Sequence, residues 1–234
     1  MTAAVLAAWG VHLYTASGAA LGFFALVATA AGSYGRAFFL MALATCIDCT
    51  DGTLARRARV KEVLPDFDGS KLDDIVDYLN YVVVPVVLAY HAAYIPKGWG
   101  GLLIGSLPLL ASGYGFCQAD AKTADHFFKG FPSYWNIVVF YFYALASPTW
   151  FNVGVLVLFS VLVFVPIRYL YPSRNPTARR ATQALGVVWA ACVVILILQF
   201  PQPSRWLAFV SLFFPLYYVA LSFQLHFRTA QPPL

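Results

Sequence analysis

Residues 38–60 read FFLMALATCIDCTDGTLARRARV, and residues 70–94 read SKLDDIVDYLNYVVVPVVLAYHAAY. The first stretch begins as lipid-compatible helix and turns polar without a break; the second begins polar and ends apolar. Between them, KEVLPDFDG (residues 61–69) contains Pro65 and Gly69, which let the chain reverse. The two stretches therefore pair as antiparallel helices, their acid-bearing halves side by side at one membrane edge. Asp48 and Asp51 are three residues apart and Asp73 and Asp77 four, so each pair shares a helix face. An ionised carboxylate costs about 3 kcal/mol at the centre of an inserted helix, so acids in such segments are functional candidates. Four converging carboxylates cannot all stay ionised without a cation, and a metal site is the simplest explanation.

The rest of the chain supports a membrane setting. It has 234 residues, 61% hydrophobic and 11% charged, with a mean hydropathy of +0.71. A soluble domain carries about 25% charged residues. Each span needs roughly 20 apolar residues. The hydrophobic runs give about eight spans, at 11–31, 34–58, 70–95, 99–117, 133–147, 149–171, 180–200 and 204–226. Ser147-Pro148, between the fifth and sixth, is a turn or a kink, so 133–171 is two spans or one kinked span. The fold class expected is an all-α polytopic transmembrane bundle, residues 1–234 forming one integral-membrane domain. The start, MTAAVLAAWGVHLY, has no basic region and no convincing cleavage site, so it reads as span and not as a removable signal peptide.

With eight spans, one side collects Arg56, Arg57, Arg59, Lys61, Lys71, Lys122, Lys129, Arg168, Arg174, Arg179, Arg180 and Arg228. The other receives only Arg36, Lys97 and Arg205. Twelve against three places both termini in the cytoplasm. All ten acidic residues fall on that side too, so the chemistry faces the cytosol. Basic residues are scattered over short loops with no soluble domain to present them, which excludes nucleic acid as a partner. The loop YPSRNPTARRA, residues 171–181, reads as a topology determinant at anionic headgroups. Cys46 and Cys49 form a CxxC, but no second pair exists and the neighbours are carboxylates that suit hard cations. They are expected to pack as small residues, along with Cys117 and Cys192.

Residues 48–77 give the pattern Asp48-x2-Asp51-Gly52-x2-Ala55-Arg56, twelve residues, then Gly69-x3-Asp73-x3-Asp77. Carboxylate oxygens suit Mg²⁺ or Mn²⁺ bridging the phosphates of a substrate. Gly52 and Ala55 keep side chains short where a base or ribose could approach the helix. Arg56 supplies a fixed cation for phosphate or carboxylate, and Gly69 allows a tight entry into the second helix.

This pattern resembles the signature of the CDP-alcohol phosphatidyltransferase family, D-x2-D-G-x2-A-R, a spacer, then G-x3-D-x3-D, and all eight fixed positions match. The spacer is longer than in most members. That length, the stretch CQADAKTADHFFKGFPSYWNI and the eight-span length resemble the bacterial branch that uses choline as acceptor. The resemblance implies phosphatidyl transfer from CDP-diacylglycerol to choline in the bacterial inner membrane. It implies a two-metal site of Mn²⁺ or Mg²⁺ on Asp48, Asp51, Asp73 and Asp77, with Asp77 also the general base. It places the CDP moiety against Asp48, Asp51, Gly52, Ala55, Arg56, Gly69 and Asp73. Asp74, about 100° round the helix from Asp73, reads as off-site, and Asp66 and Asp68 as solvated linker acids.

Choline carries a cation that cannot donate a hydrogen bond, so its recognition needs aromatic faces and a nearby carboxylate. Residues 113–137, GYGFCQADAKTADHFFKGFPSYWNI, offer Tyr114, Gln118, Asp120, Asp125, His126, Phe127, Tyr134 and Trp135 as candidates, against the alternative of an interfacial aromatic belt. His12, His91 and His226 read as packing or capping residues. Partners implied are CDP-diacylglycerol, choline and membrane lipid, with a homodimer as a candidate assembly. The rivals are the same chemistry with glycerol-3-phosphate, inositol phosphate or serine, and a divalent-cation transporter. An anionic acceptor would want clustered Arg and Lys, and a transporter would want polar residues continuing across spans whose outer halves are nearly featureless.

Overall fold

The computed structural model describes residues 2–121, 123, 125, 127–171 and 178–229. Helix α1 (Ala3–Ala30) is followed by α2 (Tyr34–Arg57), the short α3 (Val60–Val63) and α4 (Gly69–Asp77). A π-helical turn (Tyr78–Val83) leads without a break into α5 (Val84–His91). Then come α6 (Trp99–Cys117), β1 (Phe127–Lys129), α7 (Trp135–Ala144), α8 (Thr149–Phe164) and β2 (Arg168–Leu170). The chain closes with α9 (Arg179–Leu198), α10 (Arg205–Ser211) and α11 (Phe213–Thr229).

Among the described residues, five helical stretches are long and apolar enough to cross a membrane: Ala3–Ala30, Tyr34–Arg57, Trp99–Cys117, Arg179–Leu198 and Arg205–Arg228. Many of their large apolar side chains point outward, among them Leu13, Phe24, Leu110 and Leu198. In water such a surface would drive association; in lipid it is the expected exterior. The chain is a multi-pass helical membrane protein.

One alternative left open by the sequence is resolved, and one expected span is corrected. Residues 133–171 are not one kinked span: α7 and α8 are separate helices of 10 and 16 residues, joined through Ala146 in the left-handed region (φ 49°). The expected span at 149–171 also ends early. Its helix stops at Phe164, and Arg168–Leu170 forms a strand pairing antiparallel with Phe127–Lys129, Phe127 opposite Leu170. Among the described residues the fold is therefore all-α except for this two-stranded ladder.

Local chemistry explains the elements that carry the site. α1 ends where Gly32, at φ 70°, lets Ser33 N–H reach Ala28 O (2.8 Å) and Gly32 N–H reach Thr29 O (3.0 Å), a glycine-terminated cap. The chain then turns straight into α2. α4 begins on Asp68, whose carboxylate accepts from the Lys71 N–H at 3.0 Å. Asp68 is thus a helix cap as well as a linker acid. Pro85 has no N–H, and its ring crowds the carbonyl four residues back; the helix answers with the wider π turn just before it.

α1 packs against both α2 and α4. A β-carbon at Gly18 would stand 2.7 Å from Val76 Cγ1, and one at Gly22 would stand 2.9 Å from Asn80 Oδ1, so small residues let the helices close up. Asn80 Nδ2 donates to Gly18 O and Val76 O, both at 3.0 Å, tying the π turn to α1. The core beyond this seam is apolar and aromatic, built on Phe38, Val82, Leu88, Trp135, Val139 and Leu156. Hydroxyls join the later helices: Trp189 Nε1 donates to Tyr141 Oη, which shares a hydrogen with Ser211 Oγ.

Candidate active site

α4 presents Asp73 and Asp77 four residues apart, hence on one face, toward Asp48 of α2. One carboxylate oxygen from each of Asp48, Asp73 and Asp77 lies within 4.8 Å of the others, and all three residues are half-buried. Two ionised carboxylates that close repel by on the order of 3 kcal/mol at an effective dielectric near 20. Three such groups gain most from a shared divalent cation, and an all-oxygen donor set suits Mg²⁺ or Mn²⁺. Asp74 stands outside this group among the described residues.

Asp51 is placed differently. It lies one turn beyond Asp48, is buried, and its Oδ2 accepts from Thr15 Oγ1 of α1 at 2.9 Å. It is not among the three acids brought together. Asp48 in turn is held from the π turn, where Tyr81 donates its phenolic hydrogen to Oδ2 at 2.7 Å. Sequence reading singled out neither hydroxyl. Tyr81 was within reach of it, lying four residues past Asp77 and so on the same face; Thr15, 36 residues from its partner, left no local signal.

The remaining signature residues divide by what surrounds them. A β-carbon at Gly52 would meet only the mobile end of Arg56, Nη1 at 3.3 Å, so neither packing nor backbone conformation demands glycine there. Arg56 folds back along the helix, its Nη2 donating to Thr53 Oγ1 at 2.9 Å, and Ala55 is half-buried beside it. Gly69 is fixed by the protein itself, because a β-carbon would stand 2.6 Å from Cε1 of His12. The His12 ring is buried against Phe67 and Trp9, as a packing histidine.

The candidates from 113–137 scatter. Tyr134, the residue before α7, is half-buried and lies within electrostatic reach of Asp48, Tyr171 and Asp77. Its ring neighbours Tyr81 and Tyr218, each with centroids 6.2 Å away. Trp135, adjacent in sequence, is wholly buried in the core and donates Nε1–H to Ser112 Oγ at 2.8 Å. Phe127 is buried with Tyr169, Leu170, Tyr218 and Leu225. Tyr114 is exposed and packs on Phe164, and Gln118 caps the end of α6. Asp120 pairs with Lys129 at 2.7 Å, which holds its carboxyl below the ordinary range and raises the lysine. Asp125 pairs with Arg168 at 2.9 Å, while His126 lies outside the described residues. Cys46, Cys49 and Cys117 are exposed free thiols, not packed as expected.

Membrane-length helices with a three-carboxylate cluster drawn from α2 and α4 define a class: a polytopic membrane protein whose grouped acids are able to accept a divalent cation. No family model matches the chain. It is 41% identical to a phosphatidylcholine synthase of Legionella pneumophila, covering 97% of this chain and 90% of that one. Against the phosphatidylcholine synthase of Legionella bozemanae it is 38% identical over 92% of this chain and 100% of the other. Against that of Pseudomonas aeruginosa it is 38% identical over 83% and 81%. The chain belongs to the phosphatidylcholine synthase family.

Proposed function

We propose that this chain is a phosphatidylcholine synthase, transferring the phosphatidyl group of CDP-diacylglycerol to choline and releasing CMP. The observation that carries the reading is the convergence of Asp48, Asp73 and Asp77 in a chain matched along nearly its whole length by enzymes of that name.

The setting is one integral-membrane domain crossing the bacterial inner membrane eight times. The crossings are α1, α2, Gly69–His91, α6, α7, α8, α9 and α10 with α11, both termini being cytoplasmic. The distribution of basic residues supports that orientation. The grouping of contacts supports the alternation of crossings, with Asp125 meeting Arg168 at one end, and Tyr34 meeting His91 and Asn152 meeting Tyr94 at the other.

Asp48, Asp73 and Asp77, with Asp51 a turn away, would hold Mn²⁺ or Mg²⁺, two ions in the family pattern. Bound there, the ions would neutralise the pyrophosphate and make CMP an acceptable leaving group. The tails of CDP-diacylglycerol remain in lipid. Arg56 pairs with a phosphate, and the open space over Gly52 and Ala55 takes the nucleoside. Support for that placement is that, among the described residues, a β-carbon at Gly52 would meet only the flexible end of Arg56. Asp77 accepts the hydroxyl proton of choline as its oxygen attacks the phosphorus attached to diacylglycerol. The bond to the CMP oxygen breaks, and CMP leaves with its electron pair. An aspartate is a weak base toward an alcohol, so positioning must supply most of the acceleration.

The choline cation rests on the face of Tyr134, with Asp48 and Asp77 adding negative potential. Of the described candidates in 113–137, Tyr134 has the acids as neighbours, whereas Asp120 and Asp125 already face Lys129 and Arg168. Purified protein given CDP-diacylglycerol, Mn²⁺ or Mg²⁺ and a panel of alcohols tests this by CMP release. Release with choline alone is expected; release only with glycerol-3-phosphate, inositol phosphate or serine would move the chain to another acceptor.

A further inference from the structure

We propose that two hydroxyls outside the signature, Thr15 and Tyr81, are positioning residues that orient its first two aspartates for metal binding. The inference rests on the metal-binding reading of the acids given above.

Asp48 and Asp51 share one face of α2 yet are gripped from different elements. Tyr81, on the π turn, donates to Asp48 Oδ2 at 2.7 Å, and Thr15, on α1, donates to Asp51 Oδ2 at 2.9 Å. An ionised carboxylate only accepts, so both hydroxyl hydrogens are committed to it. Hydrogen bonds to an ionised acceptor are the stronger kind and fix the rotation of the group. Tyr81, Thr15 and Asp51 are all buried, which leaves water little chance to substitute.

The backbone around each hydroxyl is equally determined. The π turn that carries Tyr81 follows directly on Asp77, so one irregular segment sets both the third clustered acid and the hydroxyl bound to the first. Asn80 pins that turn to Gly18 O of α1, less than one helical turn from Thr15. A second tie, Tyr14 Oη to Thr50 Oγ1 at 2.8 Å, locks α1 to α2 beside Asp51. Helix α1 contributes no signature residue, but it braces the signature. Loss of a partner bound to a metal ligand typically lowers metal affinity or activity by about 10- to 100-fold.

The test uses full-length protein in detergent with Thr15→Val and Tyr81→Phe, which keep side-chain shape nearly constant, and Thr15→Ser, which keeps the hydroxyl. Mn²⁺ binding is followed by the electron paramagnetic resonance of free Mn²⁺, without substrate, and the Mn²⁺ dependence of CMP release is measured in parallel. Thr15→Val and Tyr81→Phe should weaken Mn²⁺ binding by about 10-fold or more, and Thr15→Ser should restore it. Wild-type affinity in both deletion variants would overturn this inference while leaving the metal reading intact. Absence of Mn²⁺ binding by the wild type would overturn the metal reading, and this inference with it.

Discussion

Gly69 lies so close to the His12 imidazole that a β-carbon there would stand 2.6 Å from Cε1. His12 is buried against Trp9 and Phe67, which restricts its movement away from the glycine. Gly69→Ala should therefore push α4 off α1, costing roughly 1–3 kcal/mol as overpacking does, and displace Asp73 and Asp77 with it. Thermal unfolding in detergent checks this. The loss should shrink in a His12→Ala background, and equal losses in both backgrounds would refute the contact.

Gly52 makes the opposite case. Its added β-carbon meets only Arg56 Nη1, and alanine is the better helix former by about 0.5–1 kcal/mol, so Gly52→Ala should hold or slightly raise the unfolding temperature. CMP release should nevertheless fall by about 100-fold, the scale of an ångström-level displacement of a bound substrate. A variant that is stable and fully active would show that nothing docks over this turn.

Asp77→Asn should lower turnover by about 100- to 10,000-fold, the range for removing a general base, while CDP-diacylglycerol still binds. Ligand protection in thermal unfolding reads the binding and CMP release reads the turnover. Undiminished turnover would remove Asp77 from its role.

Tyr134→Ala should raise KM for choline by about 2- to 30-fold, the equivalent of one cation–π contact, with KM for CDP-diacylglycerol unchanged. Asp120→Asn should change neither, because Asp120 is exposed and already paired with Lys129. The reverse ranking would relocate the acceptor site to the loop.

Asn80→Ala should destabilise the protein by about 0.6–1.7 kcal/mol, the span measured for hydrogen bonds between membrane helices. The side chain links the π turn to Gly18 O and Val76 O. Unfolding in mixed detergent micelles measures it, and no change would mean the link contributes nothing.

The acid spacing was readable because helix periodicity alone puts Asp73 and Asp77 on one face, and the change to polar residues over 48–57 set the second half of α2 apart from its apolar start. What helical periodicity cannot report is a partner across a helix interface. Thr15 reads as one more small residue in an apolar span until α1 is laid against α2. The strands Phe127–Lys129 and Arg168–Leu170 are three residues each and far apart in the chain, too short for an alternating pattern. Tyr134 and Trp135 looked equivalent as neighbouring aromatics, but α7 begins between them and leaves one between Tyr81 and Tyr218 and the other in the core.

Phosphorus NMR of purified protein with CDP-diacylglycerol, choline and Mn²⁺ is the most direct measurement. Phosphatidylcholine and CMP should appear in equal amounts, stop on chelation, and form at least about 100-fold more slowly with Asp77→Asn. Phosphatidic acid in place of phosphatidylcholine, or product formation indifferent to both chelation and Asp77, would contradict the account.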